Sequence, residues 1–310
     1  MPSYAEIAND VLRLMESVGE QAPGVVLHDY LSKLQQYSGR DTILYATNWI
    51  TDEAHTSNEA LITNGDLYGF MRMMRDLKTK KLDLILHSPG GSVESTEAIV
   101  SYIRAKFKNV RIIIPYAAMS AAAMLACSSN CLVMGKHSSI GPTDPQFIIP
   151  TRTGMHIMSA QFLISEFQEA QSVSEKHPGR LGAWLPLLGQ YPPGLIQKCI
   201  SSQKLSVELV QKWLARYMFE NESAAVKKSK KISEIMSSSK KYHSHGRRIS
   251  REECKRIGLK VTDLEDEQEF QDLVLSVFHA ANTMFQYTPV NKIIMNHLGN
   301  TVVETLPTPR

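Results

Sequence analysis

The stretch from 82 to 134 constrains this chain more than any other part of it. Three short apolar runs, 82–86 (LDLIL), 110–114 (VRIII) and 131–134 (CLVM), are bounded by turn residues, and each reads as a buried strand. Between them, 93–107 and the small-residue run 117–126 read as helices. The order β-α-β-α-β is the signature of an α/β fold with a mostly parallel sheet covered by helices. Such sheets place ligands outside the carboxyl ends of their strands. Two small-residue turns, 88–91 and 115–120, fall at such ends.

The chain has 310 residues, which allows one large domain or two ordinary ones, with core enough to need no metal or disulfide staple. The net charge of +3 lacks the basic surplus that binding a phosphate backbone calls for, so nucleic acid is not an expected partner. Four cysteines, at 127, 131, 199 and 254, form no disulfide framework and suit a reducing compartment, so a cytoplasmic location is expected. The first twenty residues carry acids early and show no secretory pattern. Residues 112–135 hold no charge, but Pro115, Tyr116, Ser120 and the trio 128–130 interrupt the run. A buried strand turning into a buried helix explains it better than a membrane span.

Elsewhere, 1–40 reads as helical with a Pro-Gly break at 23–24, 40–50 as a strand, 51–65 as a polar loop and 66–78 as a helix. Residues 142–155 read as a Pro- and Thr-rich loop, 156–176 as a helix, 178–194 as an extended excursion and 195–220 as a further helix. The lysine-rich stretch 227–241 reads as a solvated loop or helix face, with a cover over the site or a contact with an acidic partner as the alternatives. A helix at 250–258 and a tail from 266 close the chain.

Two segments carry chemistry. In Ser88-Pro89-Gly90-Gly91-Ser92, a glycine pair after a buried strand lets backbone N–H groups face outwards, as an oxyanion hole requires; a plain strand-to-helix turn is the bland reading. In 117–123 (AAMSAAA), Ser120 stands where a strand gives way to a helix. A nucleophile held in a tight turn fits that place, and so does an ordinary helix cap. Gly91 and Ser120 lie 29 residues apart, the length of one helix and one strand, which brings two adjacent strand ends to one cleft.

Together, LILHSPGGSV and AAMSAAAMLA resemble the glycine-turn and nucleophile-serine motifs of the Clp protease proteolytic subunit and signal peptide peptidase A, within the ClpP/crotonase superfamily. RDTILYATNWI, GDLYGFMRMM, IGPTDPQF and SHGRRISREECKRIGL are similar to the serine dehydrogenase proteinase (SDH-type) branch. The resemblance spans about 40–275. It implies a ClpP/crotonase-like fold of repeated β-β-α units over 41–275, between a helical segment at 1–40 and a tail at 276–310. It further implies a serine peptidase acting on peptides or proteins, assembled as a homo-oligomer. Ser120 would be the nucleophile, with the Gly91 and Ala121 amides as the oxyanion hole.

The proton-handling residues depart from the Clp pattern. Where a histidine follows the next strand, this chain has Gly141-Pro142-Thr143-Asp144; where the acid belongs, it has His243-Ser244-His245. The types are exchanged, so His245 is read as general base with Asp144 orienting it. The alternative is a Ser-Lys dyad using Lys176, Lys198 or Lys204, and His137 is a further candidate base. His243 and His245 lack the third neighbour a metal site needs, and no metal or cofactor is expected. No G-x-G-x-x-G follows a strand, which argues against a dinucleotide site. Two other readings keep the fold: a crotonase-type enzyme acting on a coenzyme A thioester, and a non-catalytic scaffold.

Overall fold

The computed structural model describes residues 3–50 and 60–306. Twelve strands are assigned among them: β1 (Asp41–Thr47), β2 (Lys81–His87), β3 (Asn109–Ile114), β4 (Ala117–Ala118), β5 (Cys131–Met134), β6 (Ser139–Ile140), β7 (Gln146–Thr151), β8 (Gly154–Ser159), β9 (Ile249–Ser250), β10 (Val261–Asp263), β11 (Val290–Asn296) and β12 (Thr301–Thr305). The helices are α1 (Tyr4–Val18), α2 (Ala22–Ser38), α3 (Asn64–Met74), α4 (Val93–Lys106), α5 (Ala121–Ala126), α6 (Ala160–Lys176), α7 (Leu181–Leu188), α8 (Leu195–Trp213), α9 (Ala225–Met236), α10 (Ser239–Tyr242), α11 (Arg251–Ile257) and α12 (Gln268–Tyr287).

The central sheet has seven strands in the order β10-β5-β3-β2-β1-β11-β12. The first five run parallel, and β11 and β12 close one edge antiparallel. Alternate residues of each strand serve opposite faces. Leu82, Leu84 and Leu86 enter the core beneath α3, α4, α5, α8 and α9, whereas Ile85, Leu44, Ile113 and Val133 meet α1, α2 and α12. Burial on both faces explains why these strands read as continuous apolar runs.

The predicted strands at 82–86, 110–114 and 131–134 and the helix at 93–107 stand within a residue or so of their expected bounds. Several other segments differ. The chain breaks at Gly19–Gln21, and Pro23 sits in the first turn of α2, where a missing N–H costs nothing. Residues 146–159 form the hairpin β7–β8 where a loop and a helix start were expected. Pro150 is tolerated because a two-stranded sheet is all edge. The excursion at 178–194 contains a short 3₁₀ turn and α7, an uncharged helix with no buried residue. Helix α8 ends at Trp213 in a wide turn at Leu214–Met218. The first nine residues of the polar loop expected at 51–65 lie outside the described residues.

The lysine-rich run is largely helix α9, with Ser229, Ile232, Ser233 and Met236 inward and Lys230 on its outer side. Helix α12 runs across position 275, and the tail beyond it supplies β11 and β12 to the central sheet. Among the described residues, no helix is long and apolar enough to cross a membrane.

Candidate active site

Strand β2 ends at His87, and Ser88 bridges Ala118 across the sheet ends: Ser88 N–H donates to Ala117 O (3.2 Å) and Met119 N–H to Ser88 O (2.9 Å). This pairing delivers the glycine turn to the serine segment. Ser120 adopts φ +51°, ψ −122°, a strained conformation for a residue with a side chain, and its hydroxyl does not cap α5. Gly90 (φ +101°) lies flat against it: a Cβ there would stand 2.6 Å from Met119 O and 2.8 Å from Ser120 Cβ. Gly91 is bridged on its other side to Ile62, with Ile62 N–H donating to Gly90 O (2.7 Å) and Ser92 N–H to Ile62 O (2.9 Å).

Gly90 N–H donates to Ser88 Oγ (3.2 Å). Among the described residues, the N–H groups of Gly91 and Ala121 have no acceptor within the protein. Ser120 stands at the N-cap position of α5, but its hydroxyl makes no capping hydrogen bond there. The strained elbow and two open amides remain.

A small second sheet, β4-β6-β9, sets the polar residues beside the elbow. Gly141 N–H donates to Ala118 O (2.9 Å), and Gly141 packs on Met119 so closely that a Cβ would meet Met119 Cε at 2.8 Å. The antiparallel pairing of Ser139 with Ser250 and of Ile140 with Ile249 brings the segments that carry Asp144 and His245 side by side. Asp144 thus lies in the segment that follows the middle strand β6, and His245 in the turn that precedes the outer strand β9. The two side chains meet: His245 Nδ1 stands 2.8 Å from Asp144 Oδ1. Ser239 Oγ (2.9 Å) and Gln146 Nε2 (3.1 Å) donate to Asp144 Oδ2. Burial to 2% exposure pushes the Asp144 carboxyl upward, but the hydrogen bond and charge of His245, with Ser239 and Ser159, hold it below the ordinary carboxylate range. His245 is 24% exposed at the wall of a cavity of about 390 Å³ that it shares with Asp144, Ser159, Ser239, Ile157 and Phe162.

The structure thus brings Asp144 to His245 and Gly90 to Ser120. Among the described residues, no hydrogen bond joins Ser120 to His245, an interaction that in unliganded sites often tightens only with substrate. The other candidate bases are engaged or turned away. His137 Nε2 lies 2.9 Å from Pro115 O. Lys204 is 74% exposed beside Glu208, Lys198 sits over the Phe147 ring at 5.8 Å, and Lys176 is exposed in the last turn of α6. Among the described residues, no group of three His, Cys, Asp or Glu is placed to hold a metal ion.

Three features escaped the sequence. Ser239 and Ser159 have no signal of their own, and Gly90, not Gly91, is the glycine that presses on the serine. The third is His87, 1% exposed at the end of β2. Its Nδ1 lies 3.1 Å from Ala117 O, and Trp49, Tyr116 and Phe278 surround its ring. Burial pushes its pKa from 6.5 down to about 3, opposed by the Ala117 bond and helped by Arg248.

Below pH 6.5 the unfolded chain takes up a proton that folded His87 refuses, so the stabilisation is whole above that pH and is lost as pH falls towards 3. The His87 share of that loss is about 2 kcal/mol by pH 5. Urea midpoints at about pH 7 and pH 5 should therefore fall further for the wild type than for His87→Phe. Equal falls would show that His87 protonates freely in the fold.

The curated relatives match only short stretches of this chain. The chain is 35% identical over 86 residues to the uncharacterized protein MJ0137 of Methanocaldococcus jannaschii, 27% of this chain and 30% of that one. It is 35% identical over 65 residues to the uncharacterized protein MJ1495 of the same organism, 21% of this chain and 22% of that one. The chain thus matches less than a third of the length of either relative. Among solved structures, it is similar to an alanine mutant of the 1510-N membrane-bound stomatin-specific protease (16% identity, TM-score 0.41, covering 69% of this chain and 79% of that one). A second mutant of that protease, in complex with a substrate peptide, gives 16% identity and a TM-score of 0.39, covering 68% of this chain and 74% of the other. Residues 61–162, which carry the glycine turn, the serine elbow and Asp144, match the family of ClpP-like SDH-type serine proteinases.

Proposed function

We propose that this chain is a serine peptidase that cleaves peptide bonds through an acyl-serine intermediate. The observation that carries the reading is Ser120 at φ +51°, strained at a strand end with Gly90 packed against it. Such strain persists where the surrounding structure holds a side chain to a task. Ser120 Oγ attacks the scissile carbonyl and its proton passes to His245 Nε2. Asp144 accepts from Nδ1–H, which leaves Nε2 unprotonated and available. The negative oxygen of the tetrahedral intermediate sits on the Gly91 and Ala121 amides, each worth about 10²–10³ in rate. The C–N bond then breaks, the amine leaves with the proton from His245, and water attacks the ester by the same route.

The substrates in this reading are peptides or proteins. Four free cysteines, three of them buried, suit work in the cytoplasm. The uncharged outer side of the β7–β8 hairpin, with Ile148 63% exposed, suits a homo-oligomer. The outward lysines of α9 suit an acidic partner.

The test is fluorophosphonate labelling followed by intact mass and peptide mapping. A single adduct on the peptide containing Ser120, lost in Ser120→Ala, is the expected result. No adduct on folded wild type, or one that survives in the variant, would sink the reading.

A further inference from the structure

We propose that His87 is a positioning residue for this site: its Nδ1–H donates to the Ala117 carbonyl and so fixes the serine elbow against the glycine turn. The inference rests on Ser120 being the nucleophile.

A carbonyl only accepts, so the 3.1 Å contact assigns the proton to Nδ1. Ala117 O accepts twice from the end of β2, from the His87 ring and from Ser88 N–H at 3.2 Å. Three residues later the chain reaches Ser120. The elbow therefore hangs on a carbonyl held by the same strand end that leads into Gly90 and Gly91. The second ring nitrogen, Nε2, is buried without a hydrogen-bond partner among the described residues. An unpaired buried acceptor works against folding. The ring lies among Trp49 (5.5 Å between centroids), Tyr116 (5.8 Å) and Phe278 (5.1 Å), where a phenyl ring would pack without that cost. What histidine adds over phenylalanine here is the Nδ1–H donor. Burial keeps the ring neutral, and Arg248, whose guanidinium lies 4.6 Å from the Tyr116 ring centroid, opposes a second positive charge.

Two variants separate positioning from packing. His87→Phe fills the space and removes the donor; His87→Asn returns an N–H near the Nδ1 position and leaves part of the space empty. The readouts are fluorophosphonate labelling rate, kcat and KM on a peptide substrate, and melting temperature. Misplacement of the elbow should slow labelling and kcat by about 10–100-fold in His87→Phe, with KM little changed. His87→Asn should regain most of that rate although it melts lower. Labelling at the wild-type rate in His87→Phe, or activities that simply follow melting temperature, would overturn the proposal.

Imidazole ¹⁵N shifts of the wild type give a reading independent of activity. A neutral Nδ1–H tautomer between about pH 5 and 8 is expected, and an Nε2–H tautomer or an imidazolium would overturn it. Absence of any Ser120 adduct, with the Nδ1–H tautomer present, would refute the nucleophile and with it the positioning role, leaving the tie to Ala117 as measured.

Discussion

Asp144→Asn lowers the rate of Ser120 acylation by about 10³–10⁴-fold while the protein stays folded, a size set by analogy with the serine-protease triad, where this exchange was measured. Two donors converge on Asp144 Oδ2, the Ser239 hydroxyl at 2.9 Å and the Gln146 amide at 3.1 Å. An asparagine placed here keeps its oxygen toward those donors and turns its NH₂ toward His245 Nδ1. His245 then accepts at Nδ1 and carries its proton on Nε2, the nitrogen to which the proposed mechanism passes the serine proton. The shape of the site is kept and the base is switched off. Labelling rate with a fluorophosphonate, beside a thermal melt, measures this directly. A variant that labels within tenfold of wild type would show that Asp144 does not set the state of the base. Activity that survives in His245→Ala would remove the imidazole from the mechanism altogether.

That pair was legible only through the family pattern, because Asp144 and His245 are 101 residues apart and nothing local marks either. The register that joins them runs through β6 and β9, two residues each, too short to show any periodicity. The central strands were legible because burial on both faces leaves an uninterrupted apolar run. Strand β11 was not, although every one of its residues is buried. It carries Lys292 at 1% exposure, paired with Asp66 (3.1 Å) and Glu304 (3.0 Å) and donating to Leu61 O (2.9 Å), so a charged residue stands where the pattern asks for an apolar one. The β7–β8 hairpin was hidden by Pro145 and Pro150, which mark turns in most sequences and here border or occupy an edge strand. Helix α7 was hidden in the same way by Pro178, Gly179 and Pro186. The glycine turn and Ser120 stand at the strand ends where the apolar runs put them, because the central strands were the part of the fold that the sequence made plain.

Gly91→Ala is expected to cost on the order of 4 kcal/mol, from backbone strain of about 1–3 and overpacking of about 1–3. The residue sits at φ +151°, and a methyl group there would lie 2.3 Å from Ile62 N and 2.5 Å from Ile62 O. Neither side can move away. Ile62 is held to Gly90 O and Ser92 N–H, and the preceding carbonyl, Leu61 O, is held by the buried Lys292 ammonium. The methyl group therefore breaks the Ile62–Gly91 bridge or twists the Gly91 amide off its line, and either result displaces a donor that the proposed mechanism assigns to the oxyanion. Gly154, at φ +126° where β8 begins, is the matched control, because a Cβ there meets nothing within 4 Å. Gly154→Ala carries the strain alone and should cost about 1–3 kcal/mol, with labelling of Ser120 unchanged. Urea denaturation of the two variants, with labelling rates, separates the effects. If Gly91→Ala were no less stable than Gly154→Ala and labelled as fast as wild type, close approach to Ile62 would not be what demands glycine. If it lost labelling while keeping its stability, the amide of Gly91 itself would be the part the reaction uses.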